Sequence, residues 1–198
     1  MEDDNTISYY FAGSRRQPDD ATDHQENEMT KAAPATMSEI DLWRHQTRMT
    51  RDVVGANVAG LTHEDSLVQP RPGGNCLNWV LGHLLWAYNG MLPLVSQEPV
   101  MDEGALTHYA RGAAPIRDSA EALTFEKILS AWNQAVERID AGLAGLSPDA
   151  LDRPVESPTG NPNETVRSLL TTIVFHQAYH AGQTAVLRRI AGKEGAIR

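Results

Sequence analysis

Cysteine is almost missing from this chain. Cys76 is the single one in 198 residues, so no internal disulfide can form, which fits a reducing compartment. A basic excess is missing too. The net charge of -9 argues against a nucleic-acid partner, because such surfaces are usually basic. No basic start leads into an apolar run, so no secretory signal is visible and a cytoplasmic location is expected. The longest apolar stretch, Trp79 to Val95, is broken by His83, Asn89 and Pro93 and is short for a membrane span, so no membrane partner is expected. Alternating strand patterns and internal repeats are lacking as well.

What is present is helical periodicity at 41% hydrophobic content, enough for a sizeable core in a single domain. Residues 1–36 stand apart. They hold eight acidic and three basic residues, and QPDDATDHQENE has no apolar period that could offset its ordering entropy. A disordered acidic tail is expected there, with ISYYFA (7–12) as its one apolar patch, ahead of a folded domain over 37–198.

Four amphipathic segments follow. The first, about Ser38 to Leu61, spaces Ile40, Trp43, Thr47, Val54, Val58 and Leu61 along one face. After the linker THEDSLVQPRPGG, the second starts at NCLNW with Asn75 as the expected N-cap, and carries Leu77, Leu81, Leu84, Leu85 and Tyr88. Residues 97–117 show no clear period, and a stretch of that length reads as a candidate functional lid. The third segment opens with a candidate capping box, Asp118 and Glu121. It then runs through Phe125, Leu129, Trp132, Val136, Ile139, Leu143 and Leu146 in the alternating spacing of a bundle helix. The fourth is expected to begin at Asn161, Pro162 and Glu164, standing at N-cap, N1 and N3. Together they predict an all-α four-helix bundle, with connections long enough that a simple up-down-up-down order is not required.

The fourth segment, LLTTIVFHQAYHAGQTAVLRRI (169–190), places His176 and His180 one turn apart on the face of Leu169, Ile173 and Leu187. Imidazoles continuing an apolar stripe should point inward, where unpaired polar groups are costly. A divalent metal is the economical partner. His83, near the middle of the second segment, is the best third ligand; its competing reading is a core histidine bonded to a hydroxyl such as Tyr88. Three histidines leave coordination positions open, as catalytic rather than structural metal sites do. His24, His45, His63 and His108 read as solvent-exposed, and Trp79, Trp86 and Trp132 as core. Gln183 reads either as a hydrogen-bond partner of a metal-bound histidine or as an ordinary helix residue. HQAYH has the spacing of the zinc-peptidase motif, but Gln177 stands where glutamate would act as general base, which excludes hydrolysis by that route.

NWVLGHLLWAYNGML, followed about ninety residues later by FHQAYHAGQTAVLRRI, resembles the DinB-like (DinB/YfiT) superfamily of candidate metalloenzymes. The likeness covers roughly residues 38–192 and rests on Gly82-His83-Leu84 and on the H-x-x-Y-H-x-G-Q string from His176 to Gln183. It implies a four-helix bundle in up-down-down-up order, a divalent metal (often zinc or nickel) on His83, His176 and His180, and frequent homodimers. Relatives include thiol-dependent transferases and an isomerase that use mycothiol, bacillithiol or glutathione. Three readings of function follow. The first is a metal-dependent thiol S-transferase acting on a small electrophile, which suits core helices without an obvious carboxylate. Arg111 or Arg117 could hold an anion there, although solvated loop charges are the simpler role. The second is hydrolysis by metal-activated water. The third is a metal-stabilised module for binding or dimerisation, with the acidic tail as its working segment.

Overall fold

The computed structural model describes residues 36–197. The tail expected over residues 1–36 therefore lies, apart from Thr36, outside the described residues, and His24 with it. Those described form one unit built on four long helices: α1 (Glu39–Val58), α3 (Leu77–Met91), α4 (Phe125–Ala144) and α6 (Val166–Ile190). Two single-turn helices, α2 (His63–Ser66) and α5 (Pro148–Leu151), sit in the linkers. Among the described residues the only β-type pairing is one isolated bridge, Pro154 with Thr165.

The contacts fix the order of the bundle. Arg44, near the start of α1, holds Asp140, near the end of α4, through a two-pronged pair at 3.1 and 3.0 Å, so these helices are antiparallel. Asn78 at the start of α3 bonds the Leu123 carbonyl just before α4, and Val95 just beyond α3 lies against Gly142 near the end of α4, so these two run parallel. Glu39 pairs with Arg167 and Asn57 with Thr184, so α1 and α6 are parallel. The result is up-down-down-up.

Helix α3 is the centre. Every residue of it except Trp86 and Gly90 is buried. A helix that is apolar all round belongs in an interior, and here the covering is completed by the 97–117 stretch. That stretch is not an open loop. It contains a 3₁₀ helix, Glu103–Tyr109, and it is nailed to the core by Leu106, Tyr109 and Ile116, all essentially inaccessible. Asn89 on α3 grips it as well, accepting from the amides of Val100 and Met101 and donating to the Met101 carbonyl.

Helix boundaries depart from expectation in four places. The linker after α1 holds the turn α2, closed by a capping box in which Thr62 and Asp65 bond each other's amides. Helix α3 is capped at Cys76 rather than Asn75, with no side-chain bond. Asp118 does cap, at 2.9 Å to the Ala120 amide, but it caps a 3₁₀ turn, Ser119–Glu121; α4 starts later, at Thr124. There the Leu123 amide is taken by the Tyr109 hydroxyl at 2.8 Å, and the Phe125 amide by His63 Nδ1 at 3.2 Å. Asn161 closes a local turn onto the Asn163 amide, while α6 begins at Thr165, in a capping box with Ser168. The buried Glu164 carboxylate accepts from the hydroxyls of Ser157 and Ser168 just before that start, where the helix dipole favours an anion.

Two helical glycines predict opposite responses to a methyl group. A Cβ at Gly142 would stand 2.6 Å from the backbone oxygen of Val95, which cannot swing aside. Gly142→Ala should destabilise the fold by about 1–3 kcal/mol. Gly55, inside α1, has open space around it, so Gly55→Ala should stabilise by about 0.5–1 kcal/mol. Urea denaturation of both variants beside the parent checks the pair.

Candidate metal centre

Three imidazoles meet on the seam between α3 and α6. His83 comes from the middle of α3 and is 5% exposed; His176 and His180 come from consecutive turns of α6 and are half-buried. The α6 pair shares the face of Leu169, Ile173 and Leu187, as its spacing predicts, but that face is not the deepest one: Leu169 and Leu187 are buried on it, while Ile173 and the histidines are half-buried. The deepest line of α6 is Val166, Leu170, Gln177, Ala181 and Thr184, and the histidines lie on the flank of that line, turned toward α3. Gln177 is fully buried and donates to the Leu84 carbonyl at 3.1 Å, so it ties α6 to α3 as a structural group.

The ring centroids form a near-equilateral triangle with sides of 5.0, 4.9 and 4.5 Å, and the ring planes are steeply inclined to one another. One nitrogen of each ring lies within 4.8 Å of the other two. His83 Nε2 and His176 Nε2 are 3.0 Å apart. A tetrahedral ion with bonds of about 2.0–2.1 Å sets its ligand nitrogens about 3.3 Å apart, close to that spacing.

Two of the three tautomers are set by neighbours. His83 Nδ1 donates to the Tyr109 carbonyl at 2.7 Å, and His180 Nδ1 donates to Gln183 Oε1 at 2.6 Å. A neutral ring that donates at Nδ1 keeps its lone pair on Nε2. Metal-binding histidines are commonly fixed through their far nitrogen in this way. His176 differs, because its Nδ1 is buried without a hydrogen-bond partner. In the metal-free chain its neutral ring can donate through Nε2 to the lone pair of His83. The donor set therefore fits a divalent cation: three neutral imidazoles, two held in ligand tautomers, with no acidic group in the cluster.

Aromatic rings complete the surroundings. Trp79, one turn before His83, stacks on it at 4.8 Å, and Trp86, one turn after, stacks at 5.3 Å. Tyr179 meets His180 edge-on at 5.1 Å from the exposed side of α6. The tryptophans expected as core thus do more than fill space, although Trp132 is fully buried as expected. Electrostatics agree with burial. Desolvation pushes His176 down to about 4, helped by the neighbouring His180 and His83. Burial also lowers His83 against the opposing Tyr109 bond, and lowers His180 against the opposing Gln183 bond. All three rings are neutral at pH 7.

The remaining sequence candidates fall elsewhere. His45 and His108 are exposed, as expected, while His63 is half-buried and caps α4. Arg111 bonds the Pro158 carbonyl and Arg117 reaches Gln69, so both join loop to loop. The Cys76 thiol is wholly buried. Sequence reasoning named Gln183 as one of two options but missed Tyr109 altogether, since a backbone carbonyl offered from 26 residues away leaves no residue-type signal. Among the described residues no helix is long and apolar enough to cross a membrane.

Fold and site together define a helical bundle whose central helix meets a histidine pair from the last helix. The profile of the DinB superfamily matches residues 46–184, most of the chain, and the chain belongs to that superfamily. A solved structure of the same fold, a conserved protein from Enterococcus faecalis, is 15% identical with a TM-score of 0.62, covering 80% of this chain and 100% of its own. At that identity the likeness speaks for the fold. A comparison with curated proteins gives no match.

A histidine whose folded pKa lies below its unfolded value binds protons more readily when unfolded, so stability falls as pH drops through that interval. The metal-free protein should therefore lose stability between about pH 6.5, the ordinary imidazole value, and pH 4, where His176 titrates. Thermal melts across that range, compared with His176→Asn, should show a shallower slope in the variant.

Proposed function

We propose that this chain is a divalent-metal-dependent enzyme in which His83, His176 and His180 hold the ion, and that it transfers the sulfur of a low-molecular-weight thiol to a small electrophile. The observation that carries the metal reading is the convergence of three imidazole nitrogens, two of them fixed as Nε2 donors by Tyr109 and Gln183. Zinc and nickel both accept such a set. The thiol reading is supported by charge: neutral ligands and no carboxylate in the cluster leave a dication uncompensated by protein, which favours an anionic partner. Superfamily membership is in keeping with it, since the relatives that the resemblance brings in include thiol-dependent transferases. When bound, the ion would keep an incoming thiol deprotonated near neutral pH.

The chain's own groups supply the rest. Burial keeps the three imidazoles neutral, so their lone pairs are available. Trp79 and Trp86 cover His83 and exclude water from its ring. In the proposed transfer a sulfur–carbon bond forms while the carbon's bond to its leaving group, or to the epoxide oxygen, breaks with its electron pair going to that group. The thiol proton passes to solvent, and an opened epoxide's alkoxide takes a proton from solvent. That balance asks no side chain of the cluster to act as a base. The competing reading, hydrolysis by activated water, is supported by less: Gln177, at the position of the peptidase base, points into the core and bonds Leu84.

A screen of metal-loaded protein with mycothiol, bacillithiol and glutathione against alkylating and epoxide electrophiles tests this. The expected result is thiol-dependent turnover that falls at least 100-fold in His176→Ala/His180→Ala. Turnover of esters or amides without thiol would favour hydrolysis, and metal-independent thiol transfer would overturn the proposal.

A further inference from the structure

The 97–117 stretch lies over α3 directly at the histidine cluster, and one residue joins the two. The Tyr109 ring rests on Gly82, the neighbour of His83. A Cβ built on Gly82 would fall 2.0 Å from Tyr109 Cδ1 and 2.3 Å from its Cε1, so the ring occupies the space any other side chain would need. The Tyr109 hydroxyl donates to Asn78 Oδ1 at 2.9 Å and accepts from the Leu123 amide at 2.8 Å. Asn78 in turn donates to the Leu123 carbonyl at 3.0 Å, which closes a ring of three hydrogen bonds. The carbonyl of the same tyrosine receives the proton of His83 Nδ1. Tyr109 therefore spans more than a full turn of α3, from Asn78 to His83, and is wholly buried along that length.

We infer that Tyr109 is a positioning residue for the metal centre. Its side chain, seated on Gly82 and anchored at Asn78 and Leu123, fixes its own carbonyl so that His83 is held with Nε2 free for a cation. The 97–117 stretch then acts as a fixed strap that sets a ligand, and the lid reading gives way to it. Leu106 and Ile116, buried on either side of Tyr109, and the Asn89 bonds further up α3 hold the strap at several points, so the carbonyl cannot drift without several contacts failing. Gly82 is required because the strap lies flush on the helix there. The stacked tryptophans restrict the plane of the His83 ring, and the Tyr109 carbonyl chooses which nitrogen faces the cluster.

The inference rests on the three-histidine metal reading, and its test separates the two. Tyr109→Phe removes only the hydroxyl anchor; Gly82→Ala pushes the ring off the helix. Zn²⁺ affinity is measured by competition titration, and the His83 tautomer of the metal-free protein by long-range ¹⁵N NMR. Gly142→Ala, which destabilises through Val95, beyond the end of α3 that is farther from Tyr109 and His83, serves as control. The parent should show a single His83 form protonated at Nδ1. Tyr109→Phe should show mixed tautomers and roughly 10- to 100-fold weaker Zn²⁺ binding, the usual loss when a partner of a ligand is disturbed. Gly82→Ala, if folded, should lose at least as much. Parent-like tautomer and affinity in a folded Tyr109→Phe would overturn the inference. So would an equal loss in Gly142→Ala, which would mark the effect as general stability. If the parent binds no Zn²⁺, the metal reading falls, while the tautomer comparison still decides whether Tyr109 sets His83.

Discussion

A buried imidazole has two nitrogens, and an unanswered one costs about 1–3 kcal/mol. Helix α3 is covered on nearly every side, with His83 at its middle, so its neighbours must answer both. The strap answers Nδ1 with a carbonyl, and α6 answers Nε2 with a second histidine. Much of the local architecture follows from these two bonds. The strap must lie flush against α3, which Gly82 allows; Tyr109 must be anchored, which also sets where α4 can begin; and α6 must cross α3 at the level of His83.

Helix α6 meets both α1 and α3 along its deepest line, and α3 again along the adjacent flank. Its deepest line ends in polar bonds that lock the bundle, Gln177 to the Leu84 carbonyl and Asn57 to Thr184. About a quarter of a turn away, His176 and His180 face α3 from positions that are only half-buried. That placement resolves a conflict in the demands of a metal site. The ligands must be dry enough to stay neutral, and an exogenous ligand must still reach the ion. Full burial, as the apolar stripe alone implied, would satisfy the first demand and defeat the second.

The bundle was legible because α1 and α4 carry long apolar faces, and most residues of those faces are buried; Ile40, Leu129 and Leu146 are only half-buried, and Ile128 takes a deep place that the spacing did not assign. The three histidines were legible because two share a helix face and the third stands in an apolar helix beside a glycine. Helix starts were less so. Asp118 and Asn161 have good capping chemistry and do form local turns, yet α4 and α6 begin elsewhere. The choice among candidate caps is made by distant groups: Tyr109 at Leu123, and the pairing of Pro154 with Thr165. The role of Tyr109 at His83 was illegible for the same reason, because the group that acts is a backbone carbonyl brought near by tertiary folding.

In the proposed site three imidazoles, and no other protein group, ligate one divalent ion. X-ray absorption at the zinc or nickel edge of the loaded protein tests it most directly. The expected result is a first shell of nitrogen and oxygen scatterers, with outer-shell scattering that fits three imidazoles and no sulfur from the chain. A shell fitted by fewer than three imidazoles, or one containing the Cys76 sulfur, would rule that site out.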